Sequence, residues 1–338
     1  MPTFGSTKLA TEIESSKAFA KDLTQKYNIP CAQSLSFSNY KQAEEYVKKQ
    51  SPPIVVKADG LAAGKGVVVA ESIPQALKAL TDFMKTKTLG AAGDTVVIEE
   101  HLSGKEMSAF SFTDANTVVS MVPACDYKRI YDGDRGHNTG GMGSYSPPPF
   151  FNPALNKLVE ETIMEPAVAA MHKEGRPYKG VLYGGLMITN SQPKVLEFNA
   201  RFGDPETQVV LPRLKSNLLD IMLAVVDNKL DKINIEWNDD SCVGVVMASN
   251  GYPGNYKTGF PITGLDKVDK DIIVFHAGTK LGSAPGQIVT SGGRVLTVVA
   301  TGKTIKEAKE KVYANLPRIH FEGCYYRKDI AALGVEKN

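Results

Sequence analysis

The sequence predicts a mixed α+β (α/β) protein of several packed units that ends in a strand-rich domain, and three observations predict it. Short apolar runs suited to strands alternate with stretches of helical period through residues 54–226. From about Cys242 onward strand patterns dominate, with one helical stretch left to pack on them. The chain has 338 residues, 42% hydrophobic and 22% charged, enough for two or three cores rather than one.

The first segment reads as a helix, because Phe19, Leu23 and Tyr27 recur every four residues until Asn28-Ile29-Pro30 stops the pattern. No strand pattern precedes it, although an α/β domain ordinarily opens with one. Residues 1–52 are therefore expected to be a helical remnant of a domain whose first part lies outside this chain. Residues 53–122 are expected to form a small α+β unit: a strand at 54–57, a glycine loop, a strand at 67–70, a helix from the Ser72 cap to Lys85, and strands near 96–99, 107–112 and 117–122. A long loop rich in Gly, Asp and Pro is expected over 123–149, a length that usually means function or disorder. A helix at 153–173, a hairpin pairing 180–189 with 194–199, and an apolar helix at 218–226 fill the remainder up to 238. The last unit, 239–338, carries strands at 243–248, 272–276, 287–290 and 294–299, with a helix over 305–316.

Charge excludes some functions. Lysine and arginine total 39 against 37 acidic residues, a net charge of +2, so no whole-surface field favours nucleic acid or anionic membrane and any phosphate site must be local. The four cysteines, Cys31, Cys125, Cys242 and Cys324, are far apart, which argues against a zinc site or a disulfide framework and fits a reducing cytosol. The first ten residues contain no signal-peptide core, and no stretch approaches the roughly 18 apolar residues of a membrane span. A soluble cytoplasmic protein is expected.

Four segments carry chemistry. In Lys57-Ala58-Asp59-Gly60-Leu61-Ala62-Ala63-Gly64-Lys65-Gly66-Val67, two cations flank a glycine-rich turn and can clamp a polyphosphate, with loop N–H groups facing its oxygens. It is not a Walker A loop, because three residues rather than four separate Gly60 from Gly64 and Gly66 follows Lys65. On this motif alone a plain hairpin with solvated lysines competes evenly with a nucleotide lid. Glu99 and Glu100 end the apolar run Val96-Val97-Ile98, where an adenine edge and ribose hydroxyls can be read; charged residues at a strand end are the blander and better-supported reading without more.

Val195-Leu196-Glu197-Phe198-Asn199-Ala200-Arg201 alternates, so Glu197, Asn199 and Arg201 share a face while Phe198 points inward. Oxygen ligands two residues apart can share a magnesium ion, though chance alternation on a solvated strand gives the same pattern. The continuation Phe202-Gly203-Asp204-Pro205-Glu206-Thr207 puts two acids in a turn before a helix. In the long loop, Asp126-Tyr127-Lys128-Arg129 precedes His137-Asn138-Thr139-Gly140-Gly141-Met142-Gly143, whose glycines allow backbone N–H groups close to an anion. A ligand-free surface loop is the alternative, and the coincidence of charge, glycine and length favours function.

In this order the segments resemble the ATP-grasp ligases, and within them the glycinamide ribonucleotide synthetase (phosphoribosylamine-glycine ligase) family. Phe275-His276-Ala277-Gly278-Thr279, Gly292-Gly293-Arg294-Val295-Leu296 and Tyr326-Arg327-Lys328-Asp329 extend the resemblance through essentially the whole chain. It implies an ATP-grasp fold, with a lid subdomain at 53–122, a central catalytic subdomain at 123–238 and a strand-rich C-terminal domain at 239–338. It implies that Lys57 and Lys65, with Gly64 and Gly66, meet ATP phosphates, that Glu99, Glu100 and Leu102 lie at the adenine and Glu106 at the ribose, and that Glu197 and Asn199 hold magnesium or manganese. Arg201, Lys128 and Asp204 would be the catalytic groups. Asp126, Arg129, Asn138, Thr139, Gly140, Gly141, Gly143 and Glu206 would face the substrates, glycine and 5-phosphoribosylamine, beside Arg201 and Asp204. The implied reaction makes glycyl phosphate and then the amide, a phosphoryl transfer that needs charge neutralisation and a water-excluding lid more than a covalent nucleophile.

The chain departs from the family pattern in three places. Family members begin with a glycine-rich strand-turn-helix unit, of the kind that cradles phosphate at a helix N-terminus, and Phe4-Gly5-Ser6 resembles the sequence just after it. Tyr127 stands where the family usually has histidine, and Ala200 where relatives often have cysteine. The resemblance therefore implies an enzyme segment, either a fragment or one part of a longer multifunctional purine-synthesis chain. A truncated nucleotide-binding module without full catalysis is the rival expectation, and a ligase of the same scaffold with other substrates is a third.

Overall fold

The apolar runs at 54–57 and 96–99 are adjacent antiparallel strands, with Val55 opposite Glu99. The computed structural model describes residues 3–60, 66–332 and 334, which divide into two units. The expected phosphate contacts Gly64 and Lys65 lie outside the described residues.

The first unit comprises Met1–Met121, Asn152–Phe202 and Leu219–Ile233. Its small sheet is antiparallel, in the order Ser34–Phe37, Val96–Glu100, Ile54–Ala58, Val67–Ala70. Helices Tyr40–Val47 and Ile73–Leu80 bury Ala43, Val47, Ala76 and Leu80 in one core with Val56 and Ile98. Asn39 caps the first by accepting from Lys41 N at 3.0 Å, and Ser72 caps the second, with Pro74 in its opening turn. The strand Ser34–Phe37 and its following helix add to the expected unit from its N-terminal side. A four-residue strand is too short to show a period of two, and sheet pairing supplies what the local pattern lacks.

The second sheet of this unit runs Gln192–Asn199, Lys179–Thr189, Lys105–Asp114, Val118–Ser120, all antiparallel. The expected hairpin is thus present. A bulge interrupts it: Gly185 pairs with Glu197 but Leu186 pairs with Val195, so Leu196 is left out of the ladder. The helical stretch expected at 153–173 is Pro153–Val159 and Glu165–Lys173 joined by a π turn, Glu160–Met164, which packs its Met164 sulfur over Gly184. Ahead of both sheets, helix Lys17–Lys26 is capped by Ser16 and stops where Asn28 takes a φ of 55°, as expected. Its start is tied to the end of strand Ile54–Ala58, since Asp59 accepts from Ala18 N at 2.7 Å and from the Ser16 hydroxyl at 3.0 Å.

The second unit comprises Val122–Phe151, Gly203–Leu218 and Asn234–Asn338. Its antiparallel sheet has the order Ile273–His276, Arg294–Gly302, Ser241–Ser249, Gly143–Ser146, Cys125–Asp126, with Cys324–Tyr325 on the end of Ser241–Ser249. Helix Ile305–Asn315, capped by Thr304, packs Ala308 and Val312 into the same core as Val245, Leu296 and Val298. The long loop expected over 123–149 is corrected here. It holds Cys125–Asp126 and Gly143–Ser146 in the sheet and a two-stranded ribbon of Arg129–Tyr131 with Arg135–Asn138. These strands are two to four residues long and interrupted by glycine, so periodicity does not report them; pairing with distant strands forms them. No helix among the described residues is long and apolar enough to cross a membrane.

Candidate active site

In the first unit the site is built on two adjacent strands. Lys57 and Glu99 are diagonal neighbours on one face of the small sheet, and the Lys57 ammonium lies 3.0 Å from Glu99 Oε2. It also donates to the Leu196 carbonyl at 3.2 Å, the residue that the bulge releases from the ladder. Lys21, from helix Lys17–Lys26, forms an ion pair with Glu99 Oε1 at 3.3 Å without hydrogen-bond alignment. All three side chains are buried, with residue exposures of 7%, 3% and 4% for Lys57, Glu99 and Lys21. Burial holds the Lys21 ammonium below the usual lysine range against the pull of Glu99. Lys17, one helical turn earlier on the same face, is also held low by burial, while Glu197 acts in the opposite sense.

The carboxylates expected at the base and ribose separate. Glu100 is exposed and accepts from Gln33 N at 3.0 Å and Lys194 Nζ at 3.3 Å. Leu102 packs with Ala32, Met187 and Leu196. Glu106 is exposed, opposite Met187 in the long sheet. Gly66 is buried, and its carbonyl accepts from Ala58 N at 2.8 Å.

In strand Gln192–Asn199, Glu197 is exposed and Phe198 buried as expected, but Asn199 is buried as well. The strict alternation expected of Glu197, Phe198 and Asn199 therefore does not extend to the strand's end, where the bulge at Leu196 has already shifted the ladder. Arg201 Nη2 donates to Asn199 Oδ1 at 3.2 Å and Nη1 to the Phe202 carbonyl at 3.0 Å, while Nε lies 3.2 Å from Glu14 Oε1. The carboxylate of Glu197 and the amide oxygen of Asn199 are hard oxygen donors, which fit magnesium or manganese. Among the described residues no cluster of three or more His, Cys, Asp or Glu side chains is suited to a metal ion. A cation at this pair would complete its shell with water and phosphate oxygens, as magnesium ordinarily does.

In the second unit, Arg294 organises the other candidates. Its Nη1 donates to the carbonyls of Gly140 at 2.6 Å and Asp204 at 3.0 Å, and its Nη2 to Asp204 Oδ2 at 2.9 Å. Thr139 accepts from Gly141 N at 2.9 Å and donates to the Lys128 carbonyl at 2.8 Å, and the Tyr252 hydroxyl accepts from Gly140 N at 3.0 Å. Only glycine suits position 141: φ is +109° and a Cβ there would come within 2.3 Å of Pro205 Cδ. Met142 is fully buried and anchors the turn, and Gly143 begins the sheet strand.

The remaining candidates spread out along this unit. Asp126 lies in the sheet with Lys128 Nζ 4.0 Å from its Oδ1. Arg129 and Asn138 pair across the exposed ribbon, and Arg129 donates to the Gly136 carbonyl at 2.7 Å. Glu206 is buried, folded against Gly203 at the start of helix Thr207–Val210. Tyr127 is buried in the core, beneath the guanidinium of Arg327 at 4.8 Å from its ring. The ribbon is secured by Arg327, which makes two 2.7 Å bonds to Asp329 and one of 2.8 Å to the Arg129 carbonyl.

Residues 15–207 match the Phosphoribosylglycinamide synthetase, ATP-grasp (A) domain, and residues 242–333 match the Phosphoribosylglycinamide synthetase, C domain. The chain belongs to the phosphoribosylglycinamide synthetase family. A phosphoribosylamine-glycine ligase of Caldanaerobacter subterraneus is 50% identical over 329 residues, covering 97% of this chain and 78% of the relative. The trifunctional purine biosynthetic protein adenosine-3 of Gallus gallus is 50% identical over 330 residues, 97% of this chain and 33% of that protein. Among solved structures, the phosphoribosylamine-glycine ligase of Thermotoga maritima superposes with a TM-score of 0.88 at 37% identity, over 97% of this chain and 81% of that one. The biotin carboxylase domain of Hydrogenobacter thermophilus 2-oxoglutarate carboxylase shares the fold alone, at 14% identity, with a TM-score of 0.73 over 97% of this chain and 70% of that one.

The expected family and the ATP-grasp fold are therefore borne out. The phosphoribosylglycinamide synthetase A-domain match spans Lys57, Glu99, Glu197, Asn199 and Arg201, and the C-domain match spans Arg294, Arg327 and Asp329. Glu14, Lys17 and Lys21, which contact or act electrostatically on the candidate groups, and the bonds of Arg294 to Gly140 and Asp204 are not marked by any distinctive local sequence pattern. The two lysines four apart on a helix were the available signal, and any solvated helix face gives the same one.

Proposed function

We propose that this chain ligates glycine to 5-phosphoribosylamine at the expense of ATP, giving glycinamide ribonucleotide, ADP and phosphate in purine biosynthesis. The reading is carried by a family match through both halves of the chain, and the buried lysines, the exposed Glu197 and Arg201 and the buried Asn199 agree with it. Glycine's carboxylate takes the γ-phosphoryl group of ATP to give glycyl phosphate and ADP. The amine of phosphoribosylamine then displaces phosphate, and the amide forms.

Lys57, with Lys65, binds phosphate oxygens in this reading, and the ion pair with Glu99 directs the Lys57 ammonium. Glu197 and Asn199 hold the divalent cation, which neutralises phosphate charge. Arg201, Lys128 and Asp204 act at the reacting groups, and the 139–143 turn offers N–H groups to substrate oxygens. The small sheet, with Ser34–Phe37 included, serves as the water-excluding lid. A cytosolic setting fits the pathway, and fusion to later purine-pathway domains, as the Gallus gallus protein's name implies for that chain, is compatible with it.

The test is ADP formation from ATP and magnesium, with glycine and freshly made phosphoribosylamine each omitted in turn. Turnover that needs both substrates supports the ligase; ATP binding without glycine-dependent turnover makes the chain a nucleotide-binding module instead.

A further inference from the structure

Arg201 ends the candidate cation strand with more than half of its side chain exposed, and a long cation in that setting ordinarily samples many rotamers. Here it does not stand alone. Glu14, on the short helix Glu12–Ser15, reaches across to the end of strand Gln192–Asn199 and uses both carboxylate oxygens there. Oε2 accepts from Ala200 N at 2.7 Å and Oε1 from Arg201 Nε at 3.2 Å. The helix is itself fastened, by the buried Ile13 and by an ion pair between Glu12 and Arg176.

The consequence is a count of donors. A guanidinium has five N–H groups, and three bonds, to Glu14, the Phe202 carbonyl and Asn199 Oδ1, leave two. Those two are fixed in direction because the guanidinium plane is held from Nε as well as from both Nη atoms. A neutral side chain would satisfy Ala200 N equally well, so a carboxylate at position 14 is explained by its second partner, the arginine.

We propose that Glu14 is the positioning residue for Arg201, setting its guanidinium for the phosphate group that the ligase reaction transfers and releases. The inference rests on the reading of Arg201 given under the proposed function. Phosphate is the probe, titrated calorimetrically into the full chain saturated with MgADP, for the parent, Glu14→Gln, Arg201→Ala and the double variant. Glu14→Gln keeps an acceptor for Ala200 N, so the fold is retained.

Arg201→Ala is expected to weaken phosphate binding roughly tenfold or more, the loss of a charged hydrogen bond, and Glu14→Gln to weaken it by a substantial part of that. In the double variant Glu14→Gln adds nothing further, and Glu14→Gln by itself leaves the affinity for MgADP unchanged. Unaltered phosphate affinity in Glu14→Gln, an equal effect of that change with and without Arg201, or a parallel loss of MgADP affinity would each overturn the positioning role while leaving Arg201's own role intact. A parent that binds no phosphate, or an Arg201→Ala variant that binds it as the parent does, overturns the reading of Arg201 and this inference with it.

Discussion

Lys57 and Glu99 meet 3.0 Å apart with both side chains buried, and Lys21 approaches the other oxygen of the same carboxylate at 3.3 Å. One carboxylate thus answers two buried ammonium groups, and desolvation makes each of the three dependent on the others.

Removing Glu99 leaves two buried cations without their counter-charge. Glu99→Ala is expected to cost about 3–5 kcal/mol of stability, read from urea unfolding, and to weaken MgATP binding in whatever fraction stays folded. A cost under about 1 kcal/mol would mean that water reaches the lysines and that the pair is not desolvated.

Glu197 is the exposed carboxylate of the candidate cation pair, and among the described residues it takes no hydrogen bond. Glu197→Gln keeps the shape and removes the charge, so half-maximal activity should need roughly tenfold more magnesium, with the fold undisturbed. An unchanged magnesium requirement assigns the ion elsewhere.

Arg294 joins the Gly140 carbonyl to both the backbone and the side chain of Asp204. Arg294→Ala should cost about 1.5–3 kcal/mol in kcat/KM, a ten- to hundredfold loss, and added guanidinium should restore part of it. Full activity without the arginine would show that these segments hold their shape unaided.

Gly141→Ala meets Pro205 and a positive φ at once. The expected loss is of order 1–3 kcal/mol in stability of the second unit, visible as a lower midpoint of thermal unfolding. A variant as stable as the parent would require the turn to have moved, which a crystal structure of the variant would reveal.

Burial pushes the Asp329 carboxyl up, but its bonds from Arg327 and from Gly133 N outweigh that and hold it below the usual aspartate range. A depressed folded value contributes stability that is present above the unfolded pKa of about 3.9 and is lost as pH falls through the folded value. Asp329→Asn should therefore lower the unfolding midpoint at neutral pH and show a flatter acid decline, the two curves converging once the pH has fallen through the folded value. Parallel curves would remove Asp329 from the acid response.

The longest elements were legible because their patterns are long. Strands Lys105–Asp114 and Lys179–Thr189 carry ten and eleven residues of strand pattern, and helix Ile305–Asn315 has a threonine cap followed by buried positions at helical spacing. The strands between Cys125 and Ser146 were not, because two to four residues cannot display a period and their partners lie far along the chain. The candidate residues Lys57, Glu197, Asn199 and Arg201 were legible as residue types in a spacing, whereas Glu14 contacts Arg201 across 187 positions and Arg294 contacts Gly140 across 154.

The sequence by itself determined the family, the exposed Glu197 beside the buried Phe198, and the glycines that the 139–143 turn requires, since motif order, side-chain period and backbone freedom are local properties. Only the tertiary structure decided that Glu99 serves two lysines, that a bulge at Leu196 releases a carbonyl to Lys57, and that Glu14 and Arg294 hold the candidate groups. Those facts depend on where distant strands and helices come to lie, and charge pairing in a buried setting follows from proximity in space, which no local pattern encodes.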